Sequence, residues 1–394
     1  MLTIMRSDSR YGYYEFFCGG GMARLGLGAH WRCRFANDID AEKANAYRAN
    51  FGDDHFHQGD VCALNAADLP GEADLAWASF PCQDLSLAGN RSGLAGERSG
   101  VFYGFWRLIE ALNAEGRAPK LIALENVTGL LTCSDGADFE ALCRTLDEGG
   151  YRVGAMEIDA RWFVPQSRPR LFVVALRKDI PIPDELVLED APDGISPFHT
   201  RAVRRAAERL PDALKANWLW WALPVPPLPN QVLSDLIEPS RRTPWHSPEE
   251  TRRLLAMMSP ANMAKLKQAR QSDRPMIGAL YRRTRIEKGE RKQRAEVRFD
   301  GLAGCLRTPG GGSSRQFIVS VRSGRVRTRP MTAREYARLM GLPDEYKLPQ
   351  RESAGLHLAG DGVAAPVVAF LREGLFEPIL EHAQAVLPAK EPAE

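Results

Sequence analysis

A thiol, a carboxyl and two guanidiniums occupy positions in this chain from which they could do chemistry together. Cys82 closes the stretch Ser79-Phe80-Pro81-Cys82, with Gln83 next, directly after the apolar run Leu75-Ala76-Trp77-Ala78. Four apolar residues ending near a proline read as a buried strand that stops abruptly, with Pro81 pushing Phe80 towards an extended conformation. Ligands bind at strand ends in open α/β sheets, so Cys82 is placed as a nucleophile at the root of a polar, glycine-bearing loop that runs to Gly100. The competing reading is a buried structural cysteine, a common fate of free thiols. Glu125 ends a second apolar run, Lys120-Leu121-Ile122-Ala123-Leu124. It would lie beside Cys82 if the two strands are neighbours, and a carboxyl buried there has reason to hold a proton. Arg168 and Arg170 precede the apolar run from Leu171 to Leu176, where they could pin an acid, a phosphate or a thiolate.

The elements that must position these groups alternate between strand and helix patterns. Tyr13 to Phe17 reads as a strand, Cys18-Gly19-Gly20-Gly21 as a tight turn, and Met22 to Leu27 as the first turns of a helix. Such glycines let the backbone approach a ligand closely. A second strand from Cys33 to Asn37 ends in Asp38-Ile39-Asp40, where an acid can hold the two hydroxyls of a ribose and Ile39 can pack on an adenine face. A third strand candidate lies at Gly59-Asp60-Val61, with Asp60 placed to accept a hydrogen bond from an adenine amino group. Taken singly each acid reads as a loop residue; in this order they outline a site for an adenosine-bearing cofactor. Val101 to Asn113 reads as a helix with Phe102, Phe105, Trp106, Ile109 and Leu112 on one side, and Phe139 to Leu146 as another, capped at Gly149-Gly150.

The chain has 394 residues, 44% hydrophobic and 26% charged, an ordinary globular composition long enough for two domains. Seven cysteines without paired spacing argue against a disulfide framework, and no Cys/His cluster has zinc spacing, so no metal site is expected. No secretory leader or membrane-length apolar stretch is expected either, which makes the cytoplasm the default compartment. The net charge of +2 hides an asymmetry. Residues 201–329 carry 27 Lys and Arg against 11 Asp and Glu, whereas the rest of the chain carries 25 against 39. A solvated face is one reading of such an excess; a polyanionic partner, and nucleic acid first, is the other.

In this order the motifs resemble those of the DNA cytosine-5 methyltransferases, over nearly the whole chain. Phe17-Cys18-Gly19-Gly20-Gly21 is similar to the family's Phe-x-Gly-x-Gly cofactor turn. Asp38 and Ile39 fall at its ribose and adenine positions, and Asp60-Val61 at the next cofactor contact. Phe80-Pro81-Cys82-Gln83, with Ser86 after it, resembles the nucleophile motif, Glu125-Asn126-Val127 the cytosine-gripping motif, and Gln166-x-Arg168-x-Arg170 the paired-arginine motif. Arg329-Pro-Met-Thr-Ala-Arg-Glu335 through Arg338-Leu-Met-Gly341-Leu-Pro343 is similar to the ninth motif. Three departures stand out. The last cofactor motif reads Gly360-Asp361-Gly362-Val363 where the family has Gly-Asn-Ser/Ala-Val, Asp38 replaces the usual Glu, and Met22 replaces a frequent glycine. Asp361 accepts hydrogen bonds but cannot donate as Asn does.

The resemblance implies an S-adenosylmethionine-dependent, Rossmann-like doubly wound α/β sheet with a smaller inserted target-recognition domain. The implied boundaries are a catalytic and cofactor-binding domain over 1–188, target recognition over 189–345, a returning segment over 346–386 and a disordered tail over 387–394. It implies methyl transfer from S-adenosylmethionine, with S-adenosylhomocysteine as product, to carbon 5 of a flipped-out cytosine through a Cys82 adduct at carbon 6. Glu125 would donate to ring nitrogen 3 and accept from the exocyclic amine, while Arg168 and Arg170 hold the nucleotide and favour the thiolate. Phe17, Gly19, Gly21, Asp38, Ile39, Asp60, Val61, Pro81, Val101, Asp361 and Val363 would bind the cofactor. Gln83, Ser86, Arg91, Arg98, Arg282, Arg283, Arg285 and Arg315 would touch duplex DNA. The loop from Gln83 to Gly100 would close over the base.

Pro224 to Pro229 reads as a stiff connection, and Trp218, Trp220 and Trp221 as core rather than base-stacking platforms. The amphipathic stretch from Pro366 to Leu380 is expected to return to the catalytic domain beside the first cofactor motif. The enzyme is expected to be a bacterial modification methyltransferase working as a monomer on nucleoid DNA, alongside a cognate restriction endonuclease without a stable complex between them. A transfer-RNA cytosine-5 methyltransferase and a non-catalytic DNA-binding relative are the alternatives.

Overall fold

The computed structural model describes residues 9–81, 100–192, 196–239, 243–287, 289–307 and 315–387. Cys82, Gln83, Ser86, Arg91 and Arg98, and with them the expected closing loop, lie outside these residues, as do the glycine run 310–312 and the tail from 388. The chain divides into two compact units: one holds the residues up to Ile158, Pro169–Val225 and those from Val367 on, the other Asp159–Arg168 and Pro226–Pro366.

The first unit is built on a seven-stranded sheet: β1 (Tyr11–Phe16), β2 (Trp31–Asp38), β3 (Phe56–Gln58), β4 (Leu75–Ala78), β5 (Leu121–Asn126), β6 (Tyr151–Asp159) and β7 (Pro169–Arg177). Their order is β3-β2-β1-β4-β5-β7-β6. The first five run parallel and β7 pairs antiparallel to β5. Every residue of β1, β4 and β5 is buried, as strands covered on both faces must be, which is why these segments read as near-continuous apolar runs. Chain order reverses between β1 and β4, so the loops leaving those two strands flank a topological switch point.

Helices α1 (Met22–Leu27), α2 (Ala41–Phe51), α3 (Val101–Ala114) and α4 (Ala137–Glu148) connect the strands. Phe102, Phe105, Trp106, Ile109 and Leu112 of α3 join the main core with Leu142 and Leu146 of α4, while Ala44 and Tyr47 of α2 fill a smaller cluster with Ala36 and Phe56. Trp221 is fully buried, and Trp218 and Trp220 pack on the main core edge to face at 5.6 Å. They sit near the two-stranded pair β8 (Val187–Leu188) and β9 (Trp220–Trp221). The last helix, Glu377–Val386, returns to the first strands. Trp31 Nε1 donates to Glu377 Oε1 at 2.9 Å, Arg372 Nη1 to the Leu27 carbonyl at 3.0 Å, and Arg10 pairs with Glu381 at 2.6 Å.

The second unit holds the four-stranded antiparallel sheet β11-β10-β12-β13, from β10 (Met276–Glu287), β11 (Glu290–Arg298), β12 (Phe317–Arg322) and β13 (Arg325–Pro330). Leu280, Ala295, Val297, Val319 and Val321 of this sheet pack with Leu254 and Leu266 of the helices Pro248–Ala256 and Pro260–Arg270 and with Met258 between them. Each of those helices starts with a serine cap followed by proline, a pre-organised first turn.

Two sequence expectations change. The third strand is Phe56–Gln58, and Asp60 instead caps the 3-10 turn Val61–Ala63, its Oδ1 accepting from Cys62 N at 2.9 Å. An Asp followed by a free amide two residues on favours that turn over strand pairing. The second concerns membrane-length segments: the helical run Glu352–Val386 is long and apolar enough to cross a membrane. Its most apolar window is 67% buried within the protein, the behaviour of core helices.

Candidate active site

The pairing of β4 with β5 fixes the centre of the site. Ala78 lies opposite Leu124, so Ser79, Phe80 and Pro81 leave the sheet alongside Glu125 and Asn126. Asn126 Nδ2 donates to the Phe80 carbonyl at 3.1 Å, and its Oδ1 accepts from Val127 N at 2.9 Å. One side chain therefore ties the backbone just before Cys82 to the backbone just after Glu125. Phe80 is buried, with its ring against Phe102 at 5.3 Å and Phe17 at 6.5 Å. Nothing in the sequence singled out Asn126 beyond its membership of a triplet.

Glu125 lies inside β5 rather than after it and is 6% exposed. Its register partner on β7 is Phe172, which makes Arg170 a diagonal neighbour, and Arg170 Nε sits 3.2 Å from Glu125 Oε1. Arg168 goes elsewhere. It is 2% exposed and, within the second unit, donates to the carbonyls of Leu306 at 2.8 Å, Gly360 at 2.9 Å and Gly362 at 2.7 Å. The two arginines thus diverge, one onto the carboxyl and the other onto the backbone that carries Asp361. Gln166 supports the same region, donating to the Leu339 carbonyl and accepting from Leu306 N. Asp361 is exposed and Val363 buried.

At the ends of β1 and β2 the glycine turn runs through left-handed backbone. Phe17, Gly19 and Gly21 all have positive φ, at 55°, 55° and 75°. A Cβ on Gly21 would lie 2.5 Å from the Phe51 ring, so glycine is required there by packing as well as by conformation. A Cβ on Gly19 would meet nothing within 4 Å, which leaves open space directly over the turn. Asp38 Oδ2 accepts from Gly19 N at 2.8 Å and its Oδ1 from Asp40 N at 2.8 Å, locking the turn to the end of β2. Burial pushes the Asp38 carboxyl above its usual range, opposed by those two amides. Ile39 is 67% exposed beside it, an apolar surface open to solvent. Open space over glycine, a fixed carboxylate and an uncovered isoleucine fit an adenosine. Val61, by contrast, is buried in the main core, so of that pair Asp60 presents the reachable group; Pro81 is exposed and Val101 half-buried.

Beneath the turn lies a polar cluster that sequence reasoning missed. Glu15, 1% exposed in β1, is pushed by burial to about 8 against the pull of nearby Arg24. Arg24 donates to Tyr47 Oη at 3.0 Å and contacts His55 Nε2, whose pKa falls to about 4 through burial and that guanidinium. An acid in the middle of an aromatic strand gives no periodic signal. Cys18, Cys33, Cys62 and Cys143 all have thiols pushed up, mainly by burial, so none of these four is activated. Among the described residues no group of three or more His, Cys, Asp or Glu could hold a metal ion.

Of the arginines expected at DNA, Arg283 and Arg285 on β10 both reach Glu296, the first at 3.9 Å, and Arg282 packs over Phe317. Arg315 pairs with Glu352 at 2.5 Å and donates to the Met331 carbonyl.

A family model for C-5 cytosine-specific DNA methylases matches residues 11–377, and the chain belongs to that family. The type II methyltransferase M.BsuFI of Bacillus subtilis is 33% identical over 189 residues, 48% of this chain and 44% of that protein. The chain spans less than half the length of that relative. M.HpaII of Haemophilus parainfluenzae is 26% identical over 91% of this chain and 87% of its own. Among solved structures, the S. pombe Dnmt2 methyltransferase superposes with a TM-score of 0.55 at 18% identity, covering 94% of this chain and 99% of its own. The fold is that of the S-adenosylmethionine-dependent methyltransferases.

Proposed function

We propose that the chain is a DNA cytosine-5 methyltransferase that uses S-adenosylmethionine to modify duplex DNA at a specific sequence. The observation that carries this reading is the side-by-side exit of β4 and β5. It brings the backbone leading to Cys82 alongside Glu125, with the open glycine turn and Asp38 at the ends of the adjoining strands.

Gly19 and Gly21 would admit the cofactor, Asp38 would take the ribose hydroxyls, Ile39 the adenine face and Asp60 the adenine amine. When bound, S-adenosylmethionine supplies an electrophilic methyl group. Cys82, as thiolate, adds to carbon 6 of the cytosine and raises electron density at carbon 5. Glu125, protonated, donates its O–H to ring nitrogen 3 and accepts from the exocyclic amine; Arg170 fixes the carboxyl for this task from the Oε1 side. Arg168 acts at one remove, by positioning the segment around Asp361. The target base must leave the duplex to be reached. The second unit, with the hairpin that carries Arg282, supplies the DNA-facing surface, and the type II relatives support reading the chain as the modification half of a restriction–modification pair.

The test is tritium transfer from labelled S-adenosylmethionine to duplex DNA and to transfer RNA, with a 5-fluorocytosine duplex as trap. Label in DNA and a covalent conjugate that Cys82→Ser cannot form are the expected results. Label confined to RNA would point to the other substrate class.

A further inference from the structure

The hairpin of the second unit has two chemically distinct faces. β10 pairs with β12 only from Met276 to Leu280, but with β11 all the way from Ala279 to Glu287. Ala295, opposite Arg282, is still held by the Met257 carbonyl, and beyond that pair the two strands continue as a ribbon about 16 Å long at roughly 3.3 Å per residue. Residues directly opposite each other share a face. One face holds Arg283 opposite Arg294, Arg285 opposite Lys292, and Tyr281 opposite Glu296. Its charges are largely paired: Glu296 takes Arg283 and Arg285, and Lys292 meets Glu290 at 3.0 Å. The other face holds Thr284 opposite Gln293, Ile286 opposite Arg291, and Arg282 opposite Ala295, with no acid among them.

That second face has the composition of a base reader. Thr284, Ile286, Arg291 and Gln293 are all exposed, and Ile286, at 75%, is the most exposed of the large apolar side chains among the described residues. A guanidinium matches guanine, a primary amide matches adenine, a hydroxyl suits either, and an apolar group meets the thymine methyl. Arg282 Nη1 approaches Gln293 Oε1 at 3.5 Å and steadies the amide from the root of the ribbon. The major groove of B-form DNA, about 12 Å wide, admits a two-stranded ribbon. The deep, narrow major groove of an RNA duplex does not.

We propose that the β10–β11 ribbon enters the DNA major groove with Thr284, Ile286, Arg291 and Gln293 towards the base edges, and that these four residues set the sequence recognised. This rests on the reading that duplex DNA is the substrate. The ribbon also selects against double-stranded RNA, and the Arg283–Arg285 face points away from the bases, its guanidiniums bracing the strands through Glu296.

The experiment compares the full chain with Arg291→Gln, Gln293→Ala and, from the opposite face, Lys292→Thr. All three positions are exposed, so folding is expected to survive, and melting temperatures check this. Bisulfite sequencing of DNA from cells expressing each protein reads the bases flanking every methylated cytosine. Arg291→Gln and Gln293→Ala are expected to relax or switch preference at one base position each, roughly tenfold or more. Lys292→Thr should leave the flanking sequence as in the parent. An unchanged flanking sequence in the first two variants, with methylation intact, overturns the proposal while the methyltransferase reading stands. If the parent methylates no DNA, that reading falls and binding alone decides about the ribbon. Fluorescence anisotropy with a labelled DNA duplex and an RNA duplex of equal sequence must then show a preference for DNA that Arg291→Gln weakens. Equal binding of both duplexes, or no effect of the substitution, overturns it.

Discussion

Arg170 Nε lies 3.2 Å from Glu125 Oε1, inside a strand pair where the two side chains are only 15% and 7% exposed. Removing one partner of so enclosed an ion pair takes from the other its nearby countercharge. Arg170→Ala is expected to destabilise the protein by about 3 kcal/mol and to lower turnover more than DNA affinity. Lysine should not restore it, because a point charge cannot reproduce the guanidinium edge. Thermal melts with single-turnover kinetics check both parts; equal losses in binding and turnover would contradict the assigned role.

Asn126→Ala removes the donor to the Phe80 carbonyl and leaves a buried acceptor unsatisfied, a cost of about 1–3 kcal/mol. Because that bond holds the backbone leading to Cys82, trapping of 5-fluorocytosine DNA should slow as well. A variant that unfolds more easily in urea but traps at the parent rate would make Asn126 purely structural.

Arg168→Ala should act on stability first. Three backbone carbonyls lose a charged donor at once, and the second unit is expected to melt early. If Arg168 positions the segment around Asp361, binding of S-adenosylhomocysteine by calorimetry should weaken in Arg168→Lys even where melting is restored.

Glu15 gives the protein a pH dependence of its own. Its folded pKa, raised by burial from 4.5 to about 8, favours the protonated native state, so the stabilisation is complete below 4.5 and fades as pH climbs through about 8. His55 and His199 run the other way: both are lowered by burial from 6.5 to about 4, so their contribution is complete above 6.5 and fades on acidification through about 4. Of these three, only Glu15 changes between 6.5 and 8, where it should remove about 2 kcal/mol. Glu15→Gln should flatten that decline and raise stability at the alkaline end. Urea titrations across the window measure it directly, and an unaltered slope would place the proton elsewhere.

The sheet and the site residues differ in how far they could be read ahead. Runs such as Leu75–Ala78 and Leu121–Leu124 announce doubly buried strands, and the turn from Phe17 to Gly21 announces close backbone approach; all three are where they were expected. Pairing was the missing information. Nothing local says that β4 and β5 are neighbours, that Arg168 and Arg170, two positions apart, go to different partners, or that Glu15 is enclosed. The division of charge between the two hairpin faces was equally hidden. The run from Arg282 to Arg298 looks uniformly mixed until antiparallel register sorts it, one residue at a time, into an ion-paired side and a side without acids.

The closing helix touches the opening strands: Glu381 meets Arg10 across 371 positions of sequence, and Glu377 meets Trp31 across 346. A chain still emerging from the ribosome therefore cannot cover that flank of β1 and β2 until Glu377 and Glu381 are made. The first unit cannot finish folding before that segment is made, and a stop codon placed shortly before residue 370 should leave a product that chaperones retain and proteases clear.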